Sequence, residues 1–493
     1  VNSAVVSSRA PAVTGLVPVQ TFQVSDETVD GIANPTSITS RIGGRFPAQN
    51  GAGANTTNAT LNTSTFALSS GGVAQSVSRV QVVNGADGSS TEGFAFGFNF
   101  DSIVNTNDAG QGSLRQFVLN SNALPNTGLA QEGLTAGVET SIFMIPSAAD
   151  ALGRATDPNF VNGVAKITLA SGLTITGANA GSTAIDGTRQ TANIGDTNAG
   201  TFGTGGTVGV QAIALPTLAR PEVEIYGPNS IAVGLDIQAA SALVRGVSMW
   251  GFGSSGDSNT YATIRVGADA SSNFTGPTIT QVLLGTSAVP GTGGALTVPS
   301  NYGKGDLIRA NGVDNATVTN SILGYGGGKG VGLQGGADGW TVQGNEILNN
   351  SRDSSAWDGV DAQVANTQVI GNLVYNMGGV GIDSYSSAGG AVIRNNTVRS
   401  NGLLCTPTTG ESAGIRSFGT GNTIDLNIVA SNYGAGVQVQ STATSLISRN
   451  SIYDNGNTGS GQIGIDLLSA ADNIEHGTSP FVSPNDAGDA DTG

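Results

Sequence analysis

Asp361, Asp383 and Arg416 are the residues of this chain best placed to do chemistry. Each closes a recurring phrase of glycine, an apolar residue and a polar one, in Gly359-Val-Asp, Gly381-Ile-Asp and Gly414-Ile-Arg. If the phrases are stacked strands, equivalent residues lie about 4.8 Å apart. The column then reads Gln334, Asp361, Asp383, Arg416, Gln438, Asp466 and points away from the core. Two carboxylates about 5 Å apart suit a retaining glycosidase, and a wider pair suits inversion. With Asp358 and Asp353 close by, the cluster could instead hold calcium against a uronic acid while arginine serves as the base of a β-elimination. Trp357, Asp358 and Tyr385 form a local carbohydrate-binding candidate set, with Trp340 nearby, because aromatic faces stack on sugar rings. The competing reading is an exposed ladder in which Asp383 pairs with Arg416 and offsets the repulsion from Asp361, an arrangement worth little.

Stacking must come from a repeat, and the sequence has one. Asn320-Ser-Ile, Asn345-Glu-Ile, Asn372-Leu-Val, Asn396-Thr-Val, Asn427-Ile-Val and Asn450-Ser-Ile recur at intervals of about 25 residues, alternating with the glycine phrases. Short β-branched runs between polar turns at that period describe one coil of a parallel β-helix. Helical solenoids are disfavoured, since Gly and Asn inside each unit cost helix stability and no 3.6-residue apolar stripe survives. Asn320, Asn345, Asn372, Asn396, Asn427 and Asn450 are expected to form an inward ladder. Each amide would satisfy backbone groups of its own turn and bond the next Asn, and Asn also tolerates the left-handed corner. Weaker repeats such as Ile167-Thr-Leu and Leu235-Asp-Ile extend the coils from about 140 to 476.

A solenoid needs covered ends. Ser113 followed by Gln116 reads as a capping box, and Leu114, Phe117 and Val118 share one helical face, so a capping helix is expected near 113–121. Residues 1–104 carry longer alternating strands and are expected to form a separate antiparallel β region. Residues 105–476 form the helix domain, and 477–493 a polar tail or linker. In that tail Asp486, Asp489 and Asp491 are spaced as in calcium loops, without the downstream glutamate. Residues 403–412 are expected to bulge from their coil.

Composition narrows the function. The chain has 493 residues, of which 75 are Gly and only 11% are charged, against about 25% charged for an ordinary domain. Its net charge is −16, and Lys166, Lys304 and Lys329 are its only lysines. A nucleic-acid partner is therefore excluded, since that affinity rests on clustered Lys and Arg. Cys405 is the single cysteine, with no basic neighbour to activate it,. No run of 18 apolar residues marks a membrane span. Absence of a methionine or leader at Val1 reads as processing or excision.

Four segments carry a resemblance: NTNDAGQGSLRQFVLNSN at 105–122, AIDGTRQ at 184–190, the N-x-Ile/Val coils from 320 to 455, and NDAGDADTG at 485–493. Over most of residues 100–493 the chain resembles the pectate-lyase-like, right-handed parallel β-helix repeat modules of large secreted bacterial surface proteins. The last phrase resembles a junction to further modules. The resemblance implies an all-β fold, namely a right-handed parallel β-helix solenoid with a capping helix and the N-terminal antiparallel region. The family includes polysaccharide lyases and hydrolases beside adhesive or structural modules. Unlike the polygalacturonase branch, this chain has no Gly-His-Gly, and its one histidine, His476, lies near the end. The expected function is a non-catalytic secreted or cell-surface structural or adhesive module. It would partner with itself, other surface components or polysaccharide, and would need no cofactor. The alternative is a lyase or hydrolase using Asp361, Asp383 and Arg416, with calcium as an optional ligand.

Overall fold

The computed structural model describes residues 100–481, except for 111, 125–133, 150–155, 177–181, 257, 386–388 and 405–410. Upstream it describes four strands, Asn2–Ser7, Val19–Gln23, Val77–Val82 and Phe96–Asn99. The tail carboxylates Asp486, Asp489 and Asp491, Cys405 and most of the 403–412 bulge lie outside the described residues. By contacts, the chain divides into one unit of residues 1–170, 175–199 and 221–225, and another of 171–174, 200–220 and 226–493.

In the first unit the four upstream strands pair antiparallel, Asn2–Ser7 with Val77–Val82 and Val19–Gln23 with Phe96–Asn99. The helix α1 spans Leu114–Ala123, close to its expected place, and Ser113 Oγ accepts the Gln116 amide at 3.1 Å. The capping box is only half made, because the Gln116 side chain donates to Asn120 Oδ1 instead of reaching back to the cap. Leu114, Phe117 and Val118 are buried as the periodicity requires, and Asn120 Nδ2 ties the helix to Phe100 O at 2.8 Å. Ser113→Ala should lower stability by about 1 kcal/mol, the usual cost of a lost N-cap, measured by urea unfolding. A second helix, α2 at Thr188–Ile194, begins inside the AIDGTRQ phrase, just after the strand Ser182–Asp186. Gln190 anchors it through two hydrogen bonds to the Ile145 backbone.

The second unit is built from three parallel sheets, each chain turn adding one short strand to each. The first sheet runs from Val233–Ile237 to Ile465–Leu467. The second runs from Leu243–Arg245 to Thr444–Ser448, and the third from Val247–Trp250 to Ser451–Tyr453. Inward residues stack in register, as in Val360, Ile382, Ile415 and Val437 on the first sheet and Val342, Val369, Ile393 and Ile424 on the second, all at most 1% exposed.

The corner between the second and third sheets explains the asparagines. One residue there turns left-handed, namely Asn320 (φ 51°), Gly344 (67°), Gly371 (65°), Asn395 (53°), Leu426 (60°) and Arg449 (54°). The residue after it bears the ladder. From Asn372 onward each amide oxygen accepts two N–H groups from the coil below: Asn372 Oδ1 takes the Asn345 backbone N–H at 2.9 Å and Asn345 Nδ2 at 3.0 Å. Each Nδ2 also bonds a carbonyl, as Asn372 does with Val342 O at 2.8 Å. The ladder runs through Asn345, Asn372, Asn396, Asn427 and Asn450.

Asn320 is not a member. Ile322 pairs with Glu346, so Ser321 holds the ladder position and Asn320 the left-handed one. The same residue type serves both positions, which is why aligning asparagines slipped by one. A second ladder joins Asn401, Asn432 and Asn455 at the far end of the third sheet. There Met377 replaces asparagine and gives only its amide, to Asn401 Oδ1.

Residues 200–220 were unmarked in the sequence. They form an arm of two short antiparallel pairs, Thr201–Phe202 with Leu218–Ala219 and Thr207–Val208 with Ile213–Ala214. The arm lies on the outer face of the third sheet, packing Phe202 and Leu218 with Leu283, Ile322 and Leu348. Glu346 pins it by accepting Thr204 N and Oγ1, both at 2.6 Å.

Candidate functional site

The outward column of the first sheet is set by strand register. It reads Asp236, Arg265, Arg309, Gly332, Asp361, Asp383, Arg416, Gln438, Asp466. Gln334, expected in this column, stands two residues beyond it, opposite Asn311. The members at issue are neighbours as expected, Asp361 beside Asp383 and Asp383 beside Arg416. Their exposure is not as expected. Asp361 and Asp383 are 1% exposed and Arg416 2%, so the exposed ladder is in fact a sealed ionic cluster.

The sealing groups come from segments that lead into or follow the strands. Lys329, in the glycine-rich turn before Val331–Gln334, places Nζ on Asp361 Oδ2, and Gln363 Nε2 donates to the same oxygen at 3.0 Å. Arg416 grips Asp383 with two hydrogen bonds, Nη2 to Oδ2 at 2.6 Å and Nε to Oδ1 at 3.2 Å. Its remaining edge meets Glu411 at 2.8 Å and Glu475 at 3.0 Å. Asp358 lies beneath, accepting the Val380 amide at 3.1 Å. Sequence reasoning missed Lys329, Glu411 and Glu475. Only Lys329 left a signal, as a lone lysine in a glycine run one coil before Asp361.

Three carboxylates, Asp358, Asp361 and Asp383, bring one oxygen each to within 4.8 Å of one another. Burial, then the Asp383 and Asp361 charges, push the Asp358 carboxyl well above its ordinary range, outweighing Lys329 and Arg416. Asp361 and Asp383 each face one cation, Lys329 and Arg416 respectively. Burial opposes the Arg416 charge, but Asp383 more than restores it and holds the guanidinium above its ordinary pKa. Glu411 is pushed to about 10 by burial, Asp358 and its hydrogen bond to Glu475, which outweigh Arg416. Glu475, receiving that hydrogen bond, is held low and ionised. A cation at the three aspartates would compete with Lys329 and Arg416 for the same oxygens.

The aromatic candidates divide. Trp340 is fully buried, with Nε1 donating to Val313 O at 2.6 Å. Trp357 is half-buried with its ring against Gly256, where a Cβ would collide with it. Tyr385 is 42% exposed. Its ring packs on Phe418 with centroids 4.4 Å apart, and the Arg416 guanidinium lies 4.9 Å from the Phe418 ring and 5.6 Å from that of Tyr385.

The architecture is that of a right-handed parallel β-helix. Residues 266–412 match the family model described as right handed beta helix region. No curated protein matches the chain. Among solved structures it is similar to pectate lyase Pel9A, at 13% identity and TM-score 0.29 over 52% of this chain and 74% of that one. It is also similar to the Dettilon tailspike protein, at 14% and 0.33 over 66% and 59%. A third similarity is to the A-module of the Azotobacter vinelandii mannuronan C-5 epimerase AlgE6, at 13% and 0.24 over 62% and 72%. These likenesses concern fold alone.

Proposed function

We propose that this chain is a non-catalytic β-helix module of a secreted or cell-surface protein, serving as a rigid structural or adhesive element. One observation carries the reading. The carboxylate pair that would do glycosidase or lyase chemistry is sealed, each member held in a buried ion pair with Lys329 or Arg416. A general acid or base must come within hydrogen-bond reach of the proton it moves, and a retaining nucleophile must touch the sugar. Opening either pair leaves a buried charge uncompensated, at a cost of about 3–5 kcal/mol.

Supporting features are the low charge content and the acidic balance. No helix among the described residues is long and apolar enough to cross a membrane. No cofactor is needed in this reading, since Lys329 and Arg416 supply the balancing charge. Self-association belongs to the same proposal. Among the described residues, the last strand of each sheet exposes Leu446, Tyr453, Ile465 and Leu467, apolar side chains suited to contact with a partner.

The test is incubation with polygalacturonate, alginate and neutral glycans, with and without calcium. Unsaturated uronate absorbance and new reducing ends are both followed. The expected result is no product and no calcium-dependent shift in Tm. Turnover that disappears in Asp383→Asn would replace this reading with a polysaccharide lyase or hydrolase using Asp361, Asp383 and Arg416.

A further inference from the structure

We infer that Lys329 and Asp361 join in an amide bond between neighbouring coils, formed by the chain itself with the loss of one water. The inference goes beyond the proposed function, since it concerns how the coils are fastened rather than what they bind. Lys329 Nζ is in contact with Asp361 Oδ2, and the two side chains are 3% and 1% exposed. The other two lysines also meet carboxylates, but Lys166 and Lys304 leave 39% and 49% of their side chains in solvent. A solvated ammonium keeps its proton and is no nucleophile, and the guanidinium of an arginine such as Arg416 is not deprotonated in a protein. Lys329 is the one lysine that this fold buries against a carboxyl.

The backbone places both partners. The Lys329 N–H donates to Asp306 Oδ1 at 2.9 Å, and its carbonyl accepts the Leu307 amide at 2.9 Å. The glycines on either side have no room for a side chain. A Cβ on Gly328 would stand 2.5 Å from Asp306 Oδ1, and one on Gly330 2.5 Å from the Gly359 carbonyl. Such close packing fixes where the lysine leaves the turn. Asp361 pairs across the strands with Gly332, three residues after the lysine and without a side chain of its own. The bond would close a ring across one coil, between residues 32 apart.

The step needs no other reactant. Burying an ammonium beside a carboxylate is costly, and passing one proton from Nζ to Asp361 Oδ1 leaves an uncharged amine and acid. The Nζ lone pair attacks Asp361 Cγ. Gln363 Nε2, which donates to Oδ2 at 3.0 Å, steadies the oxyanion that develops there. Asp358 brings a carboxyl oxygen to within 4.8 Å of one on Asp361. As an acid it gives its proton to the Oδ1 hydroxyl and recovers one from Nζ, ending unchanged. The Cγ–Oδ1 bond breaks and Oδ1 leaves as water, so ammonium and carboxylate have become amide and water. Two buried charges disappear with it. Holding the reacting groups together is equivalent to an effective concentration of about 10⁵–10⁸ M.

Mass spectrometry of the whole chain, denatured, tests the bond on wild type, Lys329→Met and Asp358→Ala. Wild type is expected to weigh less than its sequence by one water. Its tryptic digest should contain a branched fragment joining Lys329 to Asp361, uncut after Lys329. Lys329→Met should have its full sequence mass. Asp358→Ala keeps amine and carboxyl but lacks the proton carrier, so linkage should be slowed about a hundredfold or more. A wild-type chain of full mass would overturn the inference whatever the variants do. So would a lost water with Lys329 and Asp361 in separate fragments, or one that persists in Lys329→Met. Linkage in Asp358→Ala as fast as in wild type would overturn the role given to Asp358.

Discussion

Asn372→Ala is expected to destabilise the protein by about 3 kcal/mol or more, a large value for one substitution away from any active centre. Asn372 is fully buried. Removing its amide strands the Asn345 backbone N–H, and takes one donor each from the Val342 carbonyl and from Asn396 Oδ1. The site is fully buried, so groups left without partners carry a desolvation penalty. Asn320→Gly is the matched control. It changes a left-handed corner outside the ladder, where glycine is at no disadvantage, and should shift stability by under about 1 kcal/mol. Urea unfolding of both variants measures the contrast. Equal effects would mean that the hydrogen-bonded column is not what holds neighbouring coils together.

Arg416→Met is expected to cost about 3–5 kcal/mol, because it abandons the Asp383 charge in a site 1% exposed,. Its pH dependence follows from the neighbours. Asp358 and Glu411 have folded pKa values above their ordinary ones, Glu411 reaching about 10. The folded state therefore keeps protons that the unfolded chain releases. Their destabilising contribution is absent below the unfolded carboxyl pKa and grows as pH rises toward the folded value. Glu139, held at about 9 by burial and Asp101, and Asp466, held at about 6 by burial and Asp472, act in the same direction. Glu475 and Asp472 are lowered, by hydrogen bonds from Glu411 and from the Ser469 backbone, so their contribution is lost in stronger acid. Stability should peak in mild acid, near about pH 5, and fall toward pH 9. Glu411→Gln should flatten that fall. A curve rising through neutrality would contradict the raised Asp358 and Glu411 carboxyls.

The coil was legible because its period and the glycine phrases are local in sequence. Stacked strands then follow from pairing geometry alone. Ser113 and the apolar face of α1 were legible for the same reason. Register at single-residue precision was not, since asparagine suits both the left-handed corner and the ladder, and only strand pairing separates Asn320 from Asn345. Burial of the column was illegible too. Alternation says that Asp361 and Asp383 leave the core, but not that Lys329, Glu411 and Glu475 close over them from other coils. The arm at 200–220 covers the third sheet through Thr204 and Glu346, 142 residues apart. No local pattern records such a contact.

Asp383 and Arg416 form a sealed structural pair. A double-mutant cycle with Asp383→Asn and Arg416→Met, read by urea unfolding, measures their coupling most directly. A coupling of about 2 kcal/mol or more is predicted, within the range for groups sharing one buried network. A coupling of at most about 0.5 kcal/mol, as between exposed charges, would contradict it and return the carboxylates to solvent.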